Sequence, residues 1–254
     1  MIVPDHLYKD TCYDKWGNVV LSDGRRTMGE LSSDESVQKI LREGNVVVTP
    51  YVKYPRTYHL PWSNPSRDDR VLDTLKAFEG AEIIVTEKMD GENTTLYNDY
   101  YHTRAVDGEH HPWQGRTRAY HASFAHDIPR GYRVCGENLV ATKSIKYDRL
   151  NHFFLGFSVW NNLTCLSWDD TLEWFKLLGI EPVPVLYKGP WNVHLLSSIM
   201  LGSIDWTQHE GYVVRVAGSF ELKDFRTHVG KYVRRDFYSQ HDWSWKENNV
   251  VFAP

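Results

Sequence analysis

Short runs of β-branched and aromatic residues recur from residue 81 onward, and this pattern constrains the fold more than any other feature of the sequence. Each run suits a single strand, and turn residues separate many of the runs. Their spacing is irregular and helix-like segments lie between some of them, which is typical of an α+β fold. We therefore predict a domain of antiparallel sheets flanked by helices, with strands at Glu82–Lys88, Asn93–Tyr97, Tyr132–Cys135, His152–Trp160, Pro182–Tyr187, Gly211–Val216 and Phe220–Phe225.

Two segments carry the signals of helices. In the first, Ser167 stands at the N-cap position, apolar residues follow at intervals of three, and Gly179 marks the end. The second is predicted from about Trp191 to Leu201, because a Gly-Pro pair precedes it and Gly202 follows it.

The chain divides into three parts on this reading. Residues 1–50 have no legible role, although the pattern favours a short helix at 36–42 and a strand at 45–49. Residues 51–240 form the predicted main domain, and residues 241–254 form a tail. We find no internal repeat, low-complexity segment or obvious linker.

Charge excludes one class of function. The formal net charge is -4 and the pI is about 6.3, so the protein does not coat nucleic acid through bulk positive charge. Any contact with nucleic acid must be local. A local groove could be formed by Lys53, Arg56, Arg116, Arg118 and Arg130, and arginines on a solvated helix are the alternative.

Cysteine usage and the N-terminus indicate the compartment. Three scattered cysteines are too few for a disulfide framework or a zinc ribbon. The start of the sequence lacks a basic region followed by an apolar run, and no stretch approaches the ~18 apolar residues of a membrane span. We therefore predict a cytoplasmic protein without a membrane partner.

Lys88 ends the first strand-like run and is followed by Met89, Asp90 and Gly91. A lysine amine is a poor nucleophile while protonated, so we expect a site that uses Lys88 to lower its pKa by partial burial or neighbouring cations. Gly91 would let the backbone approach a phosphate or sugar that a Cβ would block. Taken alone, Lys-x-Asp-Gly is a weak signal, and a solvated strand-end lysine is the alternative.

Five further short motifs follow the lysine motif in order. The six segments resemble the motifs of the covalent nucleotidyltransferases, which include ATP-dependent polynucleotide ligases and capping enzymes, and most closely those of the phage-type RNA ligases. Each motif is weak, but their order makes the signal strong, and the resemblance covers roughly residues 50–240. The segments are Thr86–Asn93, Tyr101–Arg104, Cys135–Leu139, Phe153–Val159, Glu210–Val214 and Gly230–Arg234.

The resemblance implies a nucleotidyltransferase domain that acts as an ATP-dependent RNA ligase, joining 5′-phosphate and 3′-hydroxyl RNA ends through lysyl-AMP and adenylated RNA. Lys88 would attack the α-phosphate of ATP. Glu210 would bind Mg²⁺ or Mn²⁺, and Lys231 would neutralise the charge that grows on the α-phosphate. An ordinary surface glutamate and a solvated lysine are the alternatives.

The resemblance also implies a set of ATP-binding residues. Glu137 resembles the residue that accepts hydrogen bonds from the ribose hydroxyls, Phe157 the aromatic ring that stacks on adenine, and Arg104 the arginine near the ribose and the RNA end. A turn carboxylate, a core aromatic and a surface salt bridge are the respective alternatives. The rest of the set is Glu87, for adenine recognition, together with Asp90, Gly91 and Asn93.

Two motifs depart from the family pattern. Ser158 stands where an acidic residue usually follows the aromatic one. The fifth motif commonly has two lysines separated by one residue, whereas Val233 stands two places after Lys231. Arg234 or Lys223 would have to supply the second charge, and an arginine could clamp a phosphate but not donate a proton.

Substrate and partners stay open at this point. The chain ends soon after the fifth motif, so we expect no appended OB-fold, and RNA ends would be bound by residues 1–80 or by a separate end-binding or end-healing protein. The alternatives are a DNA ligase or guanylyltransferase of the same superfamily, and a non-catalytic RNA-end or nucleotide-binding module.

Overall fold

The computed structural model describes residues 19–21, 46–48, 51–66, 69–106, 111–147, 149–199, 202, 206, 208–235, 237 and 246–247. The strands within these residues are β1 (Val19–Leu21), β2 (Val46–Val48), β3 (Tyr58–His59), β4 (Glu82–Lys88), β5 (Glu92–Leu96), β6 (Tyr101–Thr103), β7 (Tyr132–Asn138), β8 (Ala141–Thr142), β9 (Phe154–Asn161), β10 (Thr164–Cys165), β11 (Glu181–Pro182), β12 (Val185–Pro190), β13 (Gly211–Val216), β14 (Phe220–Glu221), β15 (Val229–Val233) and β16 (Lys246–Glu247). The helices are α1 (Gln114–Phe124), α2 (Trp168–Leu178) and α3 (Phe225–His228), with a π-helical turn at Leu195–Ile199 and 3₁₀ turns at Ala125–Asp127 and Leu222–Asp224.

Two large sheets form the framework. One has five strands in the order β12-β4-β13-β15-β3. The other has seven strands, in the order β14-β10-β9-β7-β5-β6 with β11 paired to β9. Pairing is antiparallel except where β15 meets β3 and where β11 meets β9. The predicted α+β architecture of mainly antiparallel sheets is confirmed.

Two smaller pairs involve the ends of the chain. β1 pairs with β2 in parallel, and β2 confirms the strand predicted at 45–49. The helix predicted at 36–42 lies outside the described residues. β16 pairs with β8, so residues 246–247 of the predicted tail contact the main domain. The domain limits at 50 and 240 stay predictions.

β4 is an interior strand of the five-stranded sheet and is buried on both faces. Ile83, Ile84 and Val85 are each 0% exposed, which fits a continuous apolar run rather than an alternating one. Burying side chains of this size contributes roughly 1.5–3 kcal/mol each. The strand is therefore held firmly, and Lys88 is presented from its end.

α2 forms as its end signals predict. The Ser167 hydroxyl accepts a hydrogen bond from the Asp170 N–H at 3.1 Å, and Gly179 adopts φ 66 at the C-terminus. Such caps contribute about 1 kcal/mol. The helix predicted from Trp191 to Leu201 includes the π-helical turn. No helix in the described part of the chain has the length and apolar character that a membrane span requires.

α1 was not predicted, because its buried face is polar. Gln114, Thr117, His121 and Phe124 point inward at helical spacing, but only Phe124 is apolar. Periodicity of hydrophobic residues cannot detect such a helix. Gln114 and His121 are instead satisfied by hydrogen bonds to Glu92 and to a backbone carbonyl.

Two predicted strands are corrected by the structure. Only Phe220 and Glu221 of the segment 220–225 are extended, and the chain then turns into α3. The segment 182–187 is shared between sheets, because β11 pairs with β9 whereas β12 pairs with β4. Prolines at 182 and 184 lack an N–H, which prevents one continuous ladder.

Candidate active site

A cavity of about 420 Å³ opens between the two large sheets. Ten residues were singled out from the sequence, and Asp90 and Glu210 are the two that do not line the cavity. The eight that do are Glu87, Lys88, Gly91, Asn93, Arg104, Glu137, Phe157 and Lys231.

Strand register places the two predicted catalytic lysines on the same wall. Thr86 is paired with Val213 on β13, which is paired with Lys231 on β15. Lys88 lies two residues after Thr86, and residues two apart in a strand share a face. Lys88 and Lys231 therefore both face the cavity from neighbouring parts of one sheet.

Lys88 forms an ion pair with Glu210. The Lys88 Nζ lies 2.6 Å from the Glu210 Oε2, and the side chains are 24% and 6% exposed. The contact arises because Gly211, the first residue of β13, is paired with Lys88. Glu210 is thus held against the lysine amine at the end of β4.

The charge state of Lys88 differs from the expectation. Burial lowers its pKa, but Glu210, Glu137 and Asp90 raise it by more, and the net pKa lies above the ordinary value. The predicted lowering is wrong, since three carboxylates outweigh the effects of burial and of neighbouring cations. The amine is an ammonium group paired with Glu210.

Glu137 is a strongly perturbed carboxylate of the site. Burial raises its pKa to about 7, although Lys88 and Lys143 oppose the shift. Its Oε1 accepts a hydrogen bond from the Gly91 N–H at 3.1 Å. Small changes in nearby charge will therefore change the protonation of Glu137 near neutral pH.

This shift predicts a pH-dependent effect of Glu137→Gln on stability. The pKa of Glu137 rises on folding from 4.5 to about 7, so its contribution to the free energy of unfolding is complete below about pH 4.5 and is lost as pH rises to about 7. Glutamine has no such proton. Urea unfolding at pH 5 and pH 8 should show the variant gaining stability relative to wild type at the higher pH.

A matched control is Glu173→Gln on the exposed side of α2. Its stability relative to wild type should be the same at both pH values. If Glu137→Gln behaved like this control, the raised pKa of Glu137 would be contradicted.

Asp90 stabilises a loop next to the site. Its Oδ2 accepts hydrogen bonds from the backbone N–H groups of Ser144 and Ile145, at 2.7 and 2.9 Å. Its own N–H donates to the Tyr147 hydroxyl at 2.8 Å. Asp90 therefore holds the loop that carries Lys143, and Lys143 lines the cavity. Contact of Asp90 with a nucleotide stays a prediction.

Gly91 is needed because of a neighbouring strand. A Cβ on Gly91 would lie 2.4 Å from the Asn138 carbonyl oxygen and 2.7 Å from the Leu139 Cδ2. The groups that exclude a side chain are thus the backbone at the end of β7 and the Leu139 side chain, rather than a phosphate or a sugar. Gly91 still lines the cavity.

We expect Gly91→Ala to lower the free energy of unfolding by about 1–3 kcal/mol, because either strand must shift to admit the methyl group. Gly115→Ala is the matched control, since a Cβ there meets nothing within 4 Å and alanine favours a helix by roughly 0.5–1 kcal/mol. Urea denaturation of both variants checks the prediction. Equal effects at the two positions would count against it.

A β-bulge presents Phe157 to the cavity. The pairing of β7 with β9 shifts between Cys135 and Gly136, which leaves Phe157 as the extra residue on β9. Bulges re-aim side chains next to functional sites. Phe157 and Ser158 both line the cavity, and the Tyr54 ring packs edge-on against Phe157 at 5.2 Å.

Glu87 is held from the other side of β4. Its Oε1 lies 2.7 Å from the His209 Nδ1, and its N–H donates to the Pro184 carbonyl at 2.9 Å. Adjacent strand residues point to opposite faces, so the Glu87 side chain turns away from Lys88. Its role with adenine stays a prediction.

Asn93 and Arg104 lie in the seven-stranded half of the site. The Asn93 Oδ1 is buried and has no hydrogen-bond partner among the described residues. Arg104 is exposed and follows β6. A buried acceptor without a donor is costly unless something else satisfies it.

Neither candidate for the second cation of the fifth motif lines the cavity. The Arg234 Nε donates to the His209 carbonyl at 3.0 Å, Lys223 is exposed, and neither lines the cavity. Lys143 does line it and lowers the pKa of Glu137 against the larger effect of burial. Sequence reasoning missed Lys143 because no motif surrounds it.

The basic residues proposed to form an RNA groove do not all lie at the cavity. Arg56 lines the cavity. Arg116 and Arg118 lie on α1 instead, over the rings of Phe153 and Tyr101 at 4.6 and 5.6 Å. An RNA contact by any of these arginines stays a prediction.

The site suits a cation that shares its ligands with a substrate. Among the described residues, no group of three or more His, Cys, Asp or Glu side chains could hold a metal ion. Mg²⁺ commonly takes one or two carboxylates and completes its octahedron with phosphate oxygens and water. The carboxylates of Glu210 and Glu137 beside Lys88 fit this kind of donor set.

Comparison with known proteins gives a family match and a fold match. The model of the RNA ligase family matches residues 81–233. A putative ATP-dependent DNA ligase from Aquifex aeolicus has a TM-score of 0.50 and 16% sequence identity, covering 74% of this chain and 57% of that one. At this identity the likeness concerns the fold alone. No curated protein sequence matches the chain.

Other solved structures are similar at a slightly lower level. A mutant of a Naegleria gruberi RNA ligase, solved with ATP and Mn, has a TM-score of 0.48 and 16% identity, covering 73% of this chain and 60% of that one. An archaeal ATP-dependent RNA ligase has a TM-score of 0.48 and 14% identity, covering 72% and 48%. The chain thus spans between 48% and 60% of the length of these solved proteins.

Proposed function

The chain belongs to the RNA ligase family and has a nucleotidyltransferase-type fold, because the family match covers more than half of it, and from this premise we propose that it is an ATP-dependent RNA ligase. The observation that carries the proposal is the position of Lys88. Its amine lies in the wall of a cavity between two sheets, with Glu210 and Glu137 beside it and Lys231 on the same wall.

In the proposed first step the Lys88 Nζ attacks the α-phosphorus of ATP. An N–P bond forms, the bond to the bridging oxygen of pyrophosphate breaks, and the amine loses a proton. Lys231 faces the same cavity and would stabilise the negative charge that develops on the α-phosphate. The product is a lysyl-AMP phosphoramidate.

Glu210 controls when this attack begins. As an ammonium group paired with Glu210 at 2.6 Å, Lys88 is not nucleophilic. Glu210 would be a ligand for a divalent cation that accompanies ATP, and if its carboxylate turned to that cation, Lys88 would lose its closest partner and would release its proton to solvent more easily. Mg²⁺ or Mn²⁺ bound there would neutralise phosphate charge.

The rest of the cavity suits the nucleoside. Phe157 lines it from the seven-stranded sheet and Val213 from the five-stranded sheet, and these two side chains are the proposed contacts of the base. Stacking on an aromatic ring contributes about 1–3 kcal/mol per base. Glu137 is the proposed acceptor of hydrogen bonds from the ribose hydroxyls, and the buried Asn93 Oδ1 is a proposed second acceptor.

Two further steps complete the proposed reaction. An oxygen of the RNA 5′-phosphate attacks the phosphorus of lysyl-AMP, and Lys88 leaves as the amine. The 3′-hydroxyl of the second RNA end then attacks the 5′-phosphorus, a phosphodiester forms and AMP leaves. Arg56, Arg104 and Lys143 line the cavity and are the proposed contacts for the phosphate of the RNA end.

The deciding experiment is covalent labelling. We expect wild-type protein, incubated with Mg²⁺ and α-labelled ATP, to retain label on a denaturing gel and to lose it in acid. Parallel reactions with labelled GTP test the nucleotide, and nicked or single-stranded RNA compared with DNA tests the acceptor.

Each rival function gives a different result in this experiment. Labelling by GTP in place of ATP would indicate a guanylyltransferase, and sealing of DNA ends alone would indicate a DNA ligase. Binding of ATP without any covalent label would indicate a non-catalytic nucleotide-binding module.

RNA ends are the proposed substrate. The cytoplasmic location and a separate end-binding or end-healing protein stay predictions. Fractionation of cells and copurification with the tagged protein would test them.

A further inference from the structure

A turn that precedes the region matched by the family model contacts Lys231. The Asp69 Oδ1 lies 3.3 Å from the Lys231 Nζ, and the two side chains are 16% and 14% exposed. Asp69 also lines the cavity. The match begins at residue 81, so Asp69 lies outside it.

Asp69 is held in turn by His59. The Asp69 Oδ2 lies 3.2 Å from the Nε2 of His59, whose side chain is 0% exposed. Burial lowers the pKa of His59 to about 4, so the ring is neutral at pH 7. The neutral ring therefore does not neutralise the charge of Asp69, whose carboxylate contacts Lys231 through Oδ1 and accepts a hydrogen bond from the Ser66 hydroxyl at 2.8 Å through Oδ2.

Ser63 contacts the other ring nitrogen of His59. The Ser63 Oγ accepts a hydrogen bond from the Val233 N–H at 2.9 Å and lies 2.6 Å from the His59 Nδ1. The tautomer with its proton on Nε2 would let Nδ1 accept from the Ser63 hydroxyl and would put the ring proton on the side of Asp69. The Nε2 approaches the Asp69 Oδ2 to 3.2 Å without the geometry of a hydrogen bond.

Backbone pairing fixes the distance between this turn and Lys231. β3 pairs in parallel with β15, with His59 opposite Lys231. The Leu60 N–H donates to the Lys231 carbonyl at 2.7 Å. The His59 N–H also donates to the carbonyl of Arg70, the residue after Asp69, at 2.7 Å, so Asp69 is joined to Lys231 through both a side-chain contact and the backbone of β3.

We propose that Asp69, supported by His59 and Ser63, is a positioning residue that holds the Lys231 ammonium group toward the cavity. A lysine has three N–H donors on a flexible stem. Asp69 takes up one donor and leaves two for the oxygens of the α-phosphate. This inference rests on the proposed function and extends the active site to His59, Ser63 and Asp69.

The pKa of Lys231 gives a second way to test the proposal, through the pH dependence of the rate. Burial and Lys88 lower the pKa of Lys231, whereas Asp69 and Glu210 raise it, and the neighbouring His59 is neutral. Loss of the Asp69 charge would lower the pKa of Lys231 further. The cation would then be lost at a lower pH.

The test compares Asp69→Asn with Asp73→Asn, an exposed aspartate of the same segment. We expect Asp69→Asn to reduce the rate of lysyl-AMP formation at saturating ATP by about 10- to 100-fold, as loss of a supporting partner commonly does, with little change in KM. The alkaline limb of its pH–rate profile should move to lower pH. Asp73→Asn should match wild type in both respects.

A double-mutant cycle separates positioning from folding. Asp69→Asn should cost little in a Lys231→Ala background, because Asp69 acts through the missing side chain. An equal loss in both backgrounds, as a folding defect would produce, overturns the proposal. So does an unchanged rate for Asp69→Asn in a protein whose wild type forms the adduct. A wild type that forms no adduct refutes the proposed function itself, and the inference with it.

Discussion

Lys88→Ala is expected to abolish covalent labelling by α-labelled ATP, with a loss of more than about 10³-fold, because removal of a nucleophile leaves only the binding contributions of the site. Lys88→Arg should be equally inactive, since a guanidinium group stays protonated and cannot attack phosphorus. Both variants are measured by label retained on a denaturing gel. ATP binding, followed by calorimetry, should persist in both.

Lys188→Ala is the matched control for this prediction. The Lys188 Nζ also forms a close ion pair, 2.6 Å from the Asp169 Oδ1, but Lys188 is exposed and does not line the cavity. Its removal should leave labelling unchanged. If Lys88→Ala were still labelled on another lysine, the assignment of Lys88 as nucleophile would be wrong.

Glu210→Gln is expected to slow lysyl-AMP formation by about 10²- to 10³-fold, the range seen when one electrostatic contributor to a transition state is removed. Glutamine has nearly the same shape and can still accept a hydrogen bond from Lys88, so the fold should persist. The glutamine amide is a much weaker ligand than a carboxylate for a hard divalent cation. The concentration of Mg²⁺ that gives half the maximal rate should therefore rise about tenfold or more.

Glu173→Gln makes the same chemical change at an exposed position of α2 and should change neither the rate nor the dependence on Mg²⁺. A Glu210→Gln variant with reduced rate but an unaltered Mg²⁺ titration would show that Glu210 acts on Lys88 alone. A variant with wild-type rate would remove Glu210 from the catalytic machinery.

Both of these predictions concern the ion pair of Lys88 and Glu210. In the proposed reaction, this pair keeps the Lys88 amine protonated before ATP binds and controls when the amine becomes a nucleophile. A buried ammonium group without a partner would be costly, so Glu210 stabilises Lys88 until ATP arrives. The same carboxylate is the group best placed to bind the cation that accompanies ATP. We therefore expect the rate of the first step to depend on Mg²⁺ through the protonation of Lys88 as well as through phosphate charge.

Local sequence was sufficient for the elements whose signals are local. The β-branched run of β4, the extended segment of β13 and both ends of α2 were each predicted from neighbouring residues, because strand propensity and helix caps act over a few positions. α1 was missed because the contacts that stabilise it are not local in sequence. Its inward face is polar, and its burial depends on Glu92 and on a backbone carbonyl of another element.

The sequence by itself determined the family, the mainly antiparallel α+β fold, and the positions of the Lys88 motif and of the five motifs that follow it. These depend on residue types in a fixed order. Only the tertiary structure decided which groups surround that lysine. Glu210 and Glu137, the two carboxylates that raise the pKa of Lys88 most, are distant from it in sequence, so the raised pKa could not be read from its neighbours. The contacts of Lys143 and Asp69 with the site depend likewise on loops that the sheets bring together, and no spacing of residues encodes such distances.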